Sequence, residues 1–519
     1  MTQDRQAESG APGYLEQRVR AMPVLELLAA TPEAVSFRYR ADDSERATLH
    51  LAAALGECGF TAARSASVDG RHAIRIAIAD CAGEAGVDAL MAAVASLGAV
   101  AASGRPVPRS VTANLREDGL PAYMGFAALW RLELSGMEIA RLGPMLDARV
   151  ERNPLDAAAM MDTATLLFLT LLPANRKHAF AAQVRALDLQ QVYRLPAQLE
   201  GNPIRVLEFA SPGDMTANTH LDCLVEHAAV ELITVYVREG RPLPAPLPEH
   251  DVAFVSIGEA TPNRPLLRQI GPLLDASRKP VLNRPDRILR LSRDQVAAML
   301  QSQAGIEMPA TARMRKDELD RVARGEATFA PHLAGRSFPI IVRPLDSQGG
   351  KGLEKLDDAG ALARYLAAAA DAEFFVAAFV DYSGADRLFR KYRVVVIGGR
   401  AYACHMAISS NWMIHYVNAD MDASAGKRAE EARFMAGFDD GFGARHGKAL
   451  ARIDELLGLD YYGIDCGETP DGRLLIFEVD TAMLVHALDP VDLYPYKRPQ
   501  MLKLFGAFLE LLAQSARRG

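Results

Sequence analysis

The segment Tyr461–Asp480, YYGIDCGETPDGRLLIFEVD, reads as two strands joined by a tight turn. Tyr461–Gly467 and Arg473–Asp480 are apolar or alternating, and Asp471-Gly472 between them is a favoured two-residue hairpin connection. With those two residues as the loop, Pro470 pairs with Arg473, and the same count sets Asp465 opposite Glu478. Asp480 lies two residues on and projects from the face that carries Glu478. Three carboxylates on one face repel one another unless a proton or a cation intervenes. Hard oxygen donors so grouped suit Mg2+ or Mn2+ bridging nucleotide phosphates. The other reading, a solvated acidic edge, fits badly beside Ile464, Leu475, Ile476 and Phe477. Cys466 neighbours Asp465 but points to the opposite face, so a catalytic thiol is not expected there.

Upstream, Tyr392–Ile397 and Ala401–Ser409 form a second hairpin turned by Gly398-Gly399. Lys391 and Arg393 share one face of its first strand, from which cations can reach a transferred phosphoryl group. Both also suit plain ion pairing at a surface. Further back, a strand at Phe338–Val342 runs into Arg343 and the loop Asp346-Ser347-Gln348-Gly349-Gly350-Lys351-Gly352. Glycines admit phosphate oxygens to backbone N–H groups, and a nearby cation neutralises them. Ligand-free connections share that composition, and no GK[ST] opens a helix as a Walker motif requires.

In order and spacing, FPIIVRP, DSQGGKG, FFVAAFVDY, RKYRVVVIGG and the opening hairpin resemble the ATP-grasp superfamily, over about Asn202 to Leu512. VLNRPDRI followed by GIEMPAT is similar to the usual lead-in from the preceding domain. The resemblance implies that Arg343 replaces the usual lysine on the α/β-phosphates, with Ser347, Gly349, Gly350 and Gly352 in the loop over them. It implies that Ala378 and Phe379 read adenine through the backbone, that Asp381 meets the ribose, and that Arg393, with Lys391, steadies the phosphoryl group. Asp465, Glu478 and Asp480 match the metal ligands. Three positions depart from the pattern: the last ligand is Asp480 where Asn is usual, Arg293 or Gln295 stands nearest to an expected lysine, and Ala378 replaces a common hinge acid.

The activity so implied is an ATP-dependent carboxylate–amine, thiol or hydroxyl ligase. It works through an acyl phosphate on an amino acid, peptide or protein side chain, and releases ADP and phosphate. ATP and Mg2+, or Mn2+, are the cofactors. In HMAISSNWMIHY, the residues His405, Trp412, His415 and Tyr416 are candidates to line an acceptor pocket, with aromatic packing as the other reading for Trp412 and core burial for His405. Asn218, opening Asn218-Thr219-His220 at a helix start, suits an anionic substrate or simple capping equally. The competing function is a non-catalytic ATP-binding regulator or scaffold that recruits a partner.

Before this region, strands at Val35–Arg40, Phe60–Ala66 and His72–Ala79, helices to Glu57 and at Val87–Ser96, and a last strand at Ala99–Ala102 give β-α-β-β-α-β. That order resembles the small domain of the ribonuclease E inhibitor B family. ARVERNPLDAAAMMDTATLLFL and AFAAQVRALDLQQVYRL resemble one degenerate tetratricopeptide repeat, helical to Leu195, with an ordinary helical connector as the alternative. From Asn202, strands alternate with helices as in a doubly wound parallel sheet. The expected organisation of this α/β and α+β multidomain chain is a flexible tail (1–30), a ferredoxin-like domain (31–105), a tetratricopeptide-like helical segment (106–200), a pre-ATP-grasp α/β domain (201–291) and an ATP-grasp domain (292–515).

The 519 residues suit three or four domains at roughly 100–200 each. With 58 Lys+Arg against 65 Asp+Glu, the net charge of −7 argues against a nucleic-acid partner. Five scattered cysteines without CxxC spacing suit a reducing, cytoplasmic setting, and no apolar leader or membrane span is read. Expected partners are a small-molecule or peptide substrate and a protein held by the N-terminal segments; a homodimer is left open.

Overall fold

The computed structural model describes residues 19–20, 25–30, 34–39, 63–68, 71–77, 123–134, 139–199, 201–345, 347 and 349–518. Near the N-terminus, β1 (Leu25–Ala30), β2 (Ala34–Tyr39), β3 (Ala63–Val68) and β4 (Arg71–Ala77) form an antiparallel sheet in the order β1-β2-β4-β3. Val35, Phe37 and Ile74 are buried on it. The edge beside β2 is held by β1, which corrects the expectation of a tail through residue 30. The expected helices to Glu57 and at 87–96, and the strand at 99–102, lie outside the described residues.

Four helices follow, Gly125–Leu134, Ile139–Arg152, Ala157–Leu169 and Pro173–Leu189. Asp156 caps the third by accepting from Ala159 N at 3.0 Å. That helix carries the buried Asp162, whose oxygens accept the Met124 N–H at 3.0 Å and the Gly125 N–H at 3.2 Å, the donors that open the first helix. The expected helix to Leu195 stops at Leu189, because Val192–Leu195 is strand β5, on the edge of the next sheet. Among the described residues no helix is long and apolar enough to cross a membrane.

That sheet runs β5-β7-β6-β8-β9, with β6 (Ile204–Ala210), β7 (Val230–Tyr236), β8 (Val252–Val255) and β9 (Val281–Leu282) parallel. Its strands are nearly continuous apolar runs because both faces are covered. The helix expected to start at Asn218-Thr219-His220 is a single turn, Leu221–Leu224.

Two further sheets make up the C-terminal part. One runs β11 (Thr311–Arg315), β14 (Glu373–Ala378), β12 (Ile340–Pro344), β13 (Glu354–Leu356). Phe374 and Val376, with Ile340 and Val342, pack against Leu319, Leu362 and Leu366 of its two helices. The two-residue strand period therefore sends Phe375, Ala377, Ile341 and Arg343 out of the other face, into a cleft. The second sheet runs β10 (Ile306–Glu307), β18 (Leu474–Asp480), β17 (Tyr461–Glu468), β15 (Phe389–Ile397), β16 (Arg400–Ser409). It shares one core with the parallel sheet: Phe508, on the helix Lys497–Ala516, meets Phe254 of β8 at 5.8 Å and Tyr461 of β17 at 5.4 Å. Asn283, just past β9, also joins the two, donating to Tyr461 O at 2.7 Å and accepting from Asp460 N and Tyr461 N.

The β17–β18 turn corrects the sequence count. The loop has three residues, Pro470, Asp471 and Gly472, closed by Thr469 N–H donating to Arg473 O at 3.0 Å, with Gly472 at φ +82°. This shifts the register by one, and a bulge between Asp465 and Cys466 shifts it back. Asp465 thus faces Glu478 as expected, by two offsetting departures.

Candidate active site

The two C-terminal sheets enclose a cleft of about 410 Å³. Its apolar wall includes Met308, Ile341, Phe375, Leu475 and Phe477. Its polar end gathers Arg293, Arg343, Lys391, Arg393, Asp465, Glu478 and Asp480, with Ser347, Gly349, Gly350, Ala378, Phe379, Trp412 and His415 also in the lining. Fourteen of the sequence-predicted residues therefore meet in one cavity.

Asp465 is buried opposite Arg393 on the neighbouring strand. Its oxygens accept from Arg393 Nε at 2.7 Å and Arg393 Nη2 at 3.0 Å, and pair with Lys391 Nζ at 2.7 Å. Burial alone would raise its carboxyl pKa, but the two cations outweigh burial and hold it far below the usual carboxylate range. Arg393 Nη1 also donates to Leu484 O at 3.1 Å, fixing the segment after β18. Glu478 accepts from Arg293 Nη2, whose Nη1 reaches Phe477 O at 3.3 Å. Asp480 accepts from Ala482 N at 3.0 Å; burial, with Glu478 adding, pushes its carboxyl up to about 7.

Of the three expected metal ligands, Asp465 is paired with Arg393 and Lys391, Glu478 with Arg293, and Asp480 lies beside Glu478 in the cleft. Among the described residues no group of three or more His, Cys, Asp or Glu is assembled to hold a metal ion. Cations on the neighbouring elements occupy Asp465 on both oxygens. Glu478 and Asp480 remain crowded in the cleft, and the raised Asp480 carboxyl is what a shared cation would relieve.

Arg343 differs from the other cations. It is buried, and among the described residues no carboxylate pairs with it. Its Nε donates to Ser347 Oγ at 3.2 Å and its Nη2 to Ser347 O, tying it to the glycine-rich loop. Burial, with Arg293 adding, pushes its guanidinium down to about 10.

The remaining candidates, Phe379 excepted, lie apart from the cleft lining. Gly352 supports the loop from behind, accepting from Tyr365 OH at 2.7 Å, with Pro344 so close that a Cβ would fall 2.8 Å from its Cδ. Asp381 is exposed and accepts from Ser383 N at 2.9 Å in a turn. Phe379 N–H donates to Pro339 O at 3.0 Å, so that group of the expected hinge is already engaged. Asn218 clamps its own loop, accepting from Ser211 N at 2.7 Å and donating to Ser211 O at 2.8 Å. His405 stands opposite Arg393 with its ring 5.0 Å from that of Tyr416. Tyr416 OH donates to the buried Glu431 at 2.8 Å, and Lys497 Nζ sits 4.0 Å over its ring.

Sequence reasoning missed the far end of the cleft, lined by Met215, Thr216 and Glu259 from the parallel-sheet domain and by Met483 and Leu484 after β18. Thr219 Oγ1 donates to Thr481 O at 2.8 Å and joins these two walls. No periodicity marks such loop residues. The hint was spatial: their segments follow β6, β8 and β18 at the strand ends.

No family model and no curated protein matches the sequence. Among solved structures, the chain is similar to a RimK domain ATP-grasp protein from Sphaerobacter thermophilus, at 18% identity and TM-score 0.37 over 60% of this chain and 99% of that one. It is also similar to the VanG D-Ala:D-Ser ligase from Enterococcus faecalis (14%, TM-score 0.38, 61% and 100%) and to the D-alanine–D-alanine ligase from Bacillus anthracis complexed with ATP (14%, TM-score 0.37, 61% and 97%).

Proposed function

We propose that this chain is an ATP-dependent ligase of ATP-grasp type that joins a carboxylate to an amine, thiol or hydroxyl and releases ADP and phosphate. The observation that carries the reading is Arg343: a buried guanidinium with no carboxylate partner among the described residues, bound to the glycine-rich loop and facing a half-apolar cleft. A cation so placed calls for an anionic ligand, and the apolar wall beside it offers a surface to a flat base. Arg343 and Arg293 then bear on the phosphates, with the Ser347–Gly350 loop above them. Lys391 and Arg393, held in place by Asp465, present positive charge where negative charge develops on the transferred group. Glu478 and Asp480 would hold Mg2+ or Mn2+, which neutralises phosphate oxygens when bound. The wall of Met215, Thr216, Met483 and Leu484 leaves room for a small carboxylate or peptide end.

A non-catalytic ATP-binding regulator is favoured by one observation, the full engagement of Asp465 by Arg393 and Lys391. In either case the segments before residue 201, read as tetratricopeptide-like and ferredoxin-like, are the proposed docking sites for a partner. Purified protein with Mg-ATP, screened against amino acids and short peptides, should release ADP and phosphate, and Glu478→Ala should stop this. ATP binding with no stimulated release across the screen supports the regulator. Release of AMP and pyrophosphate overturns the proposed chemistry.

A further inference from the structure

His415 has no part in the scheme above. Its backbone is fixed, with N–H donating to Asn418 Oδ1 at 2.9 Å and O accepting from Asn418 N at 3.0 Å. Its ring is held differently. Nε2 is buried and has no hydrogen-bond partner among the described residues. A buried polar atom left so is costly, and native structures nearly always give such an atom a partner.

The ring lines the cleft and lies directly under the glycine-rich loop. A Cβ built on Gly350 would fall 2.3 Å from Nε2, and Gly350 has φ +73°, so only glycine lets the loop settle there. The charged groups bearing on the ring are Lys391, Asp465, Arg343 and Glu478. Burial first, then Lys391, keeps the imidazole pKa below its usual value, so at neutral pH it is uncharged and carries one N–H. With that proton on Nε2, the N–H lacks an acceptor and calls for an oxygen, and the positive charge of Lys391 and Arg343 bearing on the ring favours an anionic one.

We propose that His415 Nε2 donates a hydrogen bond to the terminal phosphate of a bound nucleoside triphosphate, and so distinguishes triphosphate from diphosphate beneath the Gly350 loop. This rests on the reading of the cleft as an ATP site. The proton stays on the imidazole, and no bond to phosphorus forms or breaks at this residue. An oxygen reaching Nε2 must lift Gly350 away from it, so the loop's position depends on whether the terminal phosphate is present.

Calorimetric titration of the full chain with Mg-ATPγS and with Mg-ADP tests this for wild type, His415→Ala and His415→Gln. His415→Ala should weaken ATPγS binding about tenfold, the size of one hydrogen bond to a charged oxygen, and leave ADP binding within about twofold. His415→Gln, which keeps an N–H donor at similar reach, should recover most of the loss and also serves if the alanine variant does not fold. Equal weakening for both nucleotides, no weakening, or a glutamine variant as poor as alanine overturns the proposal while leaving the ATP site intact. A wild type that binds neither nucleotide overturns both.

Discussion

Replacing Arg343 with methionine should raise the stability of the free protein while weakening its hold on ATP. The guanidinium is pushed well below its ordinary value, to about 10, by burial and Arg293. Such a depression is on the order of 3 kcal/mol against the charged form. It lies wholly above neutrality, so Arg343 is protonated at pH 7 and the penalty persists until the pH approaches about 10. Opposing it are the hydrogen bonds to Ser347 Oγ and Ser347 O, each about 1 kcal/mol net. Methionine keeps much of the buried stem, so the balance is a gain of about 1 kcal/mol in the absence of nucleotide. With ATP, losing a charge-assisted contact to phosphate costs about 3 kcal/mol, roughly a hundredfold in affinity. Urea unfolding with and without Mg-ATP reads the first quantity, and calorimetry the second. A variant that unfolds at lower urea yet binds ATP unchanged would show that Arg343 is a structural residue, and the argument for an anion site would fall.

Three other outcomes follow from the packing and the buried charges. Arg393→Met leaves the buried Asp465 with Lys391 alone, so unfolding free energy in urea should drop by about 3 kcal/mol, and Arg393→Met combined with Asp465→Leu should recover part of it; a drop below about 1 kcal/mol contradicts the assigned pair. Gly463→Ala should destabilise far more than Gly472→Ala, since a Cβ at Gly463 falls 2.5 Å from Met483 Sδ, whereas Gly472 has open space and only its φ of +82° to oppose a side chain; similar melting temperatures for the two would refute this. Burial raises Glu208 to about 7, so the folded state prefers it protonated. Its contribution is complete below about pH 4.5 and is lost as pH rises towards 7, on the order of 3 kcal/mol. Stability should fall over that window, and Glu208→Gln should flatten the fall in part, leaving the share of Asp162, which burial also raises to about 7; an unchanged slope rules Glu208 out.

The strands that build the site were legible as short apolar or alternating runs bounded by turn residues. Which face would open was not legible: Phe374-Phe375-Val376-Ala377 and Ile340-Ile341-Val342 are apolar on both sides, and packing alone sends Phe375, Ala377, Ile341 and Arg343 into the cleft. What could not be read was pairing between distant segments. Asp465 looked like a metal ligand because its strand gives no hint that Arg393 lies across from it, 72 positions away in sequence. Arg293 was flagged only as a stand-in for a lysine, and its partner Glu478 is 185 positions on. The hairpin count failed for a local reason: Thr469 closes a three-residue loop whose glycine takes a left-handed conformation. The bulge that restores the register lies opposite Phe477, whose ring packs 4.9 Å from that of Tyr382, and no turn rule contains it. Strand β5 was hidden by a helical-looking composition that the open edge of β7 overrides.

Phe508 has a consequence for how the chain is made. Its ring touches both the parallel sheet, through Phe254, and the second C-terminal sheet, through Tyr461, and it lies in the helix Lys497–Ala516. As the polypeptide leaves the ribosome, the face of the parallel sheet around Phe254 therefore waits bare until the helix Lys497–Ala516 has been made. A gene cut between the two halves should give an upstream fragment that aggregates and a downstream one that lacks a wall. Supplying both fragments together, so that the late helix can dock, is the arrangement expected to restore soluble protein.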